Sequence, residues 1–318
     1  MNNPQSEPAV PHTFWEYLRS MGPGIVVALT WLGAGDLVDS AVAGGNYGYA
    51  LMWALALAVF VRFMFVTILA KYQLCNQHGE NLMAGFKRIH PWCPLLIGLI
   101  TLMFGHIYGS YLVKGTGETL NKLLGVGPPW MWSTVWVFVA GAIVFRGVFQ
   151  RIERIFFVFL ILLSTSLIGV ALWSGPNPVG VARGIFMFSL PTEEKSFDSL
   201  LIAISLIGAM GGSVGSLSYA YFVQQKGWRG PKFRRLQMYD LAFGTMILIV
   251  LNLSVWTIGA ELLNPRGIEI ADLDDLAKLL TIALGELGAP IFYLGVFATL
   301  ASSVVGNATG FCWPNSLP

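Results

Sequence analysis

Charge is what this 318-residue sequence lacks first: Asp, Glu, Lys and Arg make up 11% of it, against 55% hydrophobic residues. A soluble chain carries about 25% charged residues, so most of this surface is not built to face water. Cysteine is scarce as well. Cys75, Cys93 and Cys312 sit at unrelated spacings, which excludes a disulfide framework and a cysteine metal cluster. A cleavable leader is not expected, because the first apolar stretch is too long and follows some twenty polar residues. No nucleophile–base pair, zinc spacing or phosphate loop stands out. Neither an enzyme nor a bound cofactor is therefore expected. The net charge of +2 is distributed at the edges of apolar segments rather than gathered into a patch, so nucleic acid is not an expected partner.

What is abundant is long apolar sequence. Leu51–Ala70, Leu95–Val113, Trp130–Val144, Ile155–Trp173 and Met246–Ile258 are each nearly free of charge. A hydrocarbon core of ~30 Å needs about 20 such residues per helix, and helices satisfy their own backbone there. Eight spans are expected, at 25–45, 50–71, 94–114, 130–147, 154–174, 198–224, 239–262 and 286–310. The fold class is an all-α polytopic membrane protein, with the lipid bilayer as its surroundings. With residues 1–20 as a cytoplasmic N-terminal segment, twelve Lys and Arg fall in the inner connections. Six fall in the outer ones: Lys114, Lys122, Arg183, Lys195, Arg266 and Lys278. The positive-inside rule thus favours a cytoplasmic N-terminus, and the expected location is a plasma (inner) membrane. Arg62 is left over inside span two.

Two spans are interrupted. Span one runs Gly22-Pro-Gly-Ile-Val-Val-Ala-Leu-Thr-Trp-Leu-Gly33-Ala34-Gly35-Asp36-Leu-Val-Asp39. Its glycines cost about 1 kcal/mol each against alanine in a helix interior, and an intramembrane Asp at least ~2.5 kcal/mol. In span six, Gly211-Gly-Ser-Val-Gly-Ser216 cannot hold a stiff helix. The bland alternative for both is close packing through small residues. Glycine-broken segments in corresponding positions of two halves are instead the pointer to a secondary transporter's site. Unwound carbonyls and one carboxylate suit a hard cation.

At these residues the sequence resembles a known family. Gly22-Pro-Gly, the interrupted first span and Tyr47-Gly-Tyr49 resemble the opening of the Nramp (natural resistance-associated macrophage protein) divalent-metal transporters. So do Leu69-Ala-Lys71, Gly117-Glu-Thr-Leu-Asn-Lys-Leu-Leu-Gly125 after span three, and Ile207-Gly-Ala209 entering span six. The likeness runs from about Met21 to Phe311, a single transmembrane domain over 21–311. It implies the LeuT-like inverted-repeat fold of the APC superfamily, with helices 1 and 6 broken and a metal site at the breaks. That fold has ten helices or more. With eight spans present, the last helices are expected to be missing and 312–318 to be a tail of non-native character.

The departures from the family pattern shape the expected chemistry. The family's first motif is Asp-Pro-Gly-Asn, with Asp and Asn on the metal; the aligned residues here are Gly33-Ala34-Gly35-Asp36. One negative charge survives about a turn away, and Asp39 adds a second nearer the outer mouth. In span six the family has Ala-x-x-Met-Pro-His, where the Ala carbonyl and Met sulfur bind metal. The aligned residues here are Ala209, Gly212, Ser213 and Val214. Losing the soft thioether shifts preference toward hard ions. The family's paired acids of helix three align with Tyr111 and Lys114, so its proton carriers are absent. These losses resemble the magnesium-transporter-like branch of Nramp-related proteins. The expected metal site is Asp36, Gly33, Ala209 and Gly212, with Asp39 as an outlying member. It would carry Mg²⁺ or another hard divalent ion by alternating access, without proton coupling. The competing expectations are a carrier of a small organic cation or amine on the same fold, and a truncated membrane protein that transports nothing.

Overall fold

The structure is a computed structural model that describes residues 10–11, 13–20, 34–76, 79–146, 149–192, 198–211, 216–267 and 273–312. Every regular element among these residues is helical. The first half holds α1 (Phe14–Ser20), α2 (Ala34–Tyr47), α3 (Met52–Cys75), α4 (Leu82–Ile89), α5 (Cys93–Leu124), α6 (Pro129–Arg146) and α7 (Phe149–Trp173). The second holds α8 (Pro178–Phe186), α9 (Ser199–Met210), α10 (Leu217–Gln225), α11 (Arg234–Ile258), α12 (Leu273–Leu284) and α13 (Gly288–Cys312).

Among the described residues, α3, α5, α11 with its flanking turns, and α13 are each long and apolar enough to cross a bilayer unaided. Each of the eight predicted spans coincides with a helix. Span one is represented by α2, since its first part lies outside the described residues. Span six is two short helices, α9 and α10. At 12 residues α9 is about 18 Å long, well short of the ~30 Å core.

Span three differs from expectation. The Gly117–Gly125 stretch does not follow the helix but belongs to it: α5 runs on to Leu124 and stops at Gly125, whose φ of 69° suits a left-handed cap. Small residues explain the extension. Gly115, Thr116, Gly117 and Thr119 are buried, and Ser133 of α6 donates to the Val113 carbonyl at 3.1 Å. Side chains at 115 or 117 would strike Leu300 of α13 or Ser133. The remainder of α5 turns outward, with Leu95, Leu99, Leu102, Phe104 and Ile107 exposed, as a lipid-facing helix does.

The main core gathers around α2. Leu37, Ala41 and Val42 pack with Leu51 just before α3, Leu55 of α3, Leu163 and Leu167 of α7, Leu206 of α9 and Val255 and Trp256 of α11. A second cluster seals the end that carries α1. It joins Val66, Tyr219, Trp228, Phe233 and Leu236, and Tyr17 of α1 sits edge-on to Tyr239 at 5.5 Å between ring centroids.

Candidate cation site

Among the described residues α2 runs from Ala34 and carries Asp36 near its start. Asp36 is only 6% exposed. On the other side, α9 is started by Asp198, whose side chain accepts the amides of Leu200 (2.8 Å) and Leu201 (3.2 Å). It ends at Met210, where the Gly211 amide bonds the Ile207 carbonyl at 2.8 Å. The Ala209 carbonyl is thus among the last four of a helix, which have no amide of their own helix to accept and sit at the negative end of its dipole.

One side chain joins these two ends. Arg62, about 15 Å from the start of α3, is 6% exposed, and its Nη2 donates to the Ala209 carbonyl at 3.0 Å. Its guanidinium also lies within electrostatic reach of the Asp36 carboxylate and of Tyr108 on α5. A buried guanidinium is tolerated only where charge and acceptors meet it, and both are present here. Asp39, one turn along α2, accepts a hydrogen bond from Ser205 of α9 at 2.8 Å. Asp39 therefore ties α2 to α9.

The structure thus links Ala209 and Asp36 through Arg62, which bonds the first and lies within electrostatic reach of the second, while Asp39 is engaged with Ser205. Gly33 and Gly212 lie outside the described residues, as does Val214. Met210 is buried in the main core. Of the two span-three positions, Tyr111 lies within electrostatic reach of Asp39 and Asp36. Lys114 points away, its side chain 77% exposed and 3.6 Å from Glu118. His106 is exposed on the outward face of α5. Among the described residues, no three His, Cys, Asp or Glu side chains gather in a metal-binding group. Three residues were missed in the sequence. Arg62 was signalled by being the lone charge in an apolar run, and Asp240 by lying inside span seven. Tyr108 had no signal. Asp240 is fully buried and accepts from the Tyr219 hydroxyl at 3.0 Å, in the cluster sealing the α1 end.

The opposite end is closed by polar contacts. The Trp256 indole donates to the Gly48 carbonyl (2.8 Å), Asn264 to that of Gly45 (3.0 Å), and Ser40 to Asn252 (2.9 Å). The Tyr49 hydroxyl donates to Glu261 at 2.8 Å. Desolvation, with Glu261 beside it, pushes the Tyr49 hydroxyl up to about 12, so it stays a donor at any physiological pH. Asp274 and Asp275 open α12, and Asp274 pairs with Lys122 of α5 and accepts from Tyr293 of α13 at 2.7 Å. Desolvation raises the Asp274 carboxyl, but the bonds from Lys122 and Tyr293 and the charges of Lys122 and Lys278 outweigh it and hold it low. A depressed carboxylate contributes stability above its unfolded pKa and loses it as pH falls through the folded one. Lys122→Ala is therefore expected to cost under about 1 kcal/mol, this pair being partly exposed. The difference from the parent should be constant from pH 8 to 5 and vanish only below about pH 4. Thermal unfolding in detergent across that range checks it.

A model of the natural resistance-associated macrophage protein-like (Nramp) family matches residues 24–311. The chain belongs to the Nramp family. Among its Nramp relatives is the divalent metal cation transporter MntH of Bacillus subtilis, 23% identical over 306 residues, covering 92% of this chain and 69% of the relative. The MntH of Pectobacterium carotovorum is 24% identical over 303 residues, covering 92% and 71%. Crystal structures of a manganese transporter from Eremococcus coleocola superpose with TM-scores of 0.71 in a complex with an aromatic bis-isothiourea substituted compound and 0.76 in a mutant. Their identities are 18% and 17%, and they cover 97% and 96% of this chain. This chain spans 66% of the length of those solved chains. The fold is the expected Nramp one, a LeuT-like inverted repeat in which helix 6 is split into α9 and α10.

Proposed function

We propose that the protein carries a divalent metal cation across a bilayer by alternating access, with the ion held between Asp36 and the Ala209 carbonyl. The observation that carries this reading is that a buried cation, the Arg62 guanidinium, already bonds that carbonyl within reach of Asp36. The point is therefore electrostatically made for positive charge. Family membership and the names of the MntH relatives support a divalent metal as cargo. Gly33 and Gly212 are proposed to complete the shell through carbonyls or bridging water, and Asp39 to attract the ion toward it.

The finer reading is that Mg²⁺ or another hard ion is preferred over transition metals. Magnesium gives up its water reluctantly and takes few direct carboxylates, and no thioether stands at position 212 to retain softer ions. Transport is proposed to run without proton coupling. Tyr111 replaces one proton carrier, and a phenol does not titrate near neutral pH; Lys114 replaces the other and points outward. The N-terminus is placed in the cytoplasm of a plasma (inner) membrane, on the distribution of Lys and Arg. Calorimetric titration of the detergent-purified chain with Mg²⁺ and with Mn²⁺, beside uptake into proteoliposomes at several pH values, tests all of this. Mg²⁺ binding at least as strong as Mn²⁺, with pH-independent uptake, is expected. A strong Mn²⁺ preference would contradict the reading of Gly212. A small organic cation is the second reading, favoured by one fact: what occupies the point now is itself an organic cation. Displacement of Mg²⁺-insensitive uptake by guanidine or alkylamines would select it.

A further inference from the structure

We infer that Arg62 is a resident cation of the broken-helix site, and that a divalent ion binds only by displacing it, so that Arg62 sets the chain's metal affinity. The inference rests on the proposed cation site. It starts from occupancy. The Ala209 carbonyl offers its lone pairs at a helix C-terminus, and one is taken by Arg62 Nη2 at 3.0 Å. An ion coordinated directly by the same oxygen would lie within about 5 Å of that nitrogen. In a site 6% exposed on both Asp36 and Arg62, little water separates the two positive charges to screen them. The guanidinium cannot resolve the conflict by losing a proton, so it has to leave.

Arg62 is free to do so without unfolding the bundle. Its anchor is a single helix, α3, whose neighbouring residues Ala58 and Val66 are buried on the same face. Its guanidinium is therefore carried away from the Ala209 carbonyl by side-chain torsions, with no movement of the α3 backbone. The arrangement also supplies the buried Asp36 with a positive charge when no ion is bound: the protein provides a cation of its own. Tyr108 stands within electrostatic reach of both charges. The site therefore differs from one lined by neutral ligands, in that each metal bound must first be exchanged against a tethered charge.

The test is Mn²⁺ and Mg²⁺ titration of the full chain carrying R62M, R62Q or R62K, followed by calorimetry and by metal-dependent thermal shift. R62M removes the charge at similar length, and R62Q keeps N–H donors for the Ala209 carbonyl and so guards against a variant that merely fails to pack. R62K keeps the charge. Both neutral variants are expected to bind at least tenfold tighter than the parent. R62K at pH 6 should stay within about threefold of it, and metal should raise the unfolding temperature of R62Q more than that of the parent. The gain should disappear when D36N is added to R62Q. Unchanged affinity in both neutral variants, beside Asp36-dependent binding in the parent, overturns the role of Arg62 and leaves the cation site standing. Absence of Asp36-dependent binding in the parent and in both neutral variants overturns the site itself, and this inference with it.

Discussion

Asp36→Asn is expected to lower divalent-cation affinity by at least 100-fold and to abolish uptake. Asparagine keeps the volume and one carbonyl oxygen, so the loss isolates the charge. At an effective dielectric of about 20, two unit charges 4 Å apart interact by about 4 kcal/mol, and a divalent ion doubles that before desolvation is subtracted. A 100-fold loss is about 2.7 kcal/mol and is the conservative figure. The same change leaves the Arg62 guanidinium buried without its acid, so the variant should also be destabilised by about 3 kcal/mol. Asp39→Asn is the internal comparison. Its carboxylate is engaged by Ser205 at 2.8 Å, and its removal is expected to cost no more than about tenfold in affinity. Calorimetric titration and radiolabelled-ion uptake read both variants. Equal losses at the two positions would move the site outward along α2.

Gly44→Ala should prevent the protein from folding normally. A β-carbon at position 44 would fall on the Trp256 carbonyl oxygen and against its ring. That obstacle is backbone, so no rotamer relieves it. Overpacking of this kind costs typically 1–3 kcal/mol, and with the Trp256–Gly48 bond lost as well about 4 kcal/mol is expected. The matching control is Gly98→Ala on the exposed stretch of α5, where an added β-carbon meets nothing within 4 Å. That change should be neutral or stabilising by up to about 1 kcal/mol. Thermal unfolding in detergent measures the contrast, and equal behaviour of the two variants would show that the α2–α11 contact is not as close as described.

The architecture was legible because apolar length and glycine placement are local properties. The eight spans, and the division of span six, follow from counting residues against bilayer thickness and noting five glycines and serines between 211 and 216. Asp36 was legible too, since an acid inside an apolar run has to be accounted for. Arg62 shows the limit. Its position in span two was plain, but its meaning depends on α3 lying beside α9, a contact across 147 residues that no periodicity encodes. The same holds for Asp274, which reads as a solvated acid until Lys122 and Tyr293 arrive from distant helices. Helix ends were misread where composition changes before structure does. The polar stretch after Val113 looks like a loop, yet Gly115, Thr116 and Gly117 continue α5 because their small size lets α6 and α13 press against it.

The meeting of α2 with the end of α11 has a mechanical side. There the helix slips into a π turn over Gly259–Leu263, and a β-carbon on Gly259 would come to 2.8 Å from the Gly45 amide nitrogen. Two main chains pressed together through glycines have no compliant layer between them, because side-chain torsions are what normally absorb a small displacement. Such a joint behaves as a meshed gear. Any tilt of α2, which bears Asp36, is passed on to α11 and to the Glu261 that holds Tyr49.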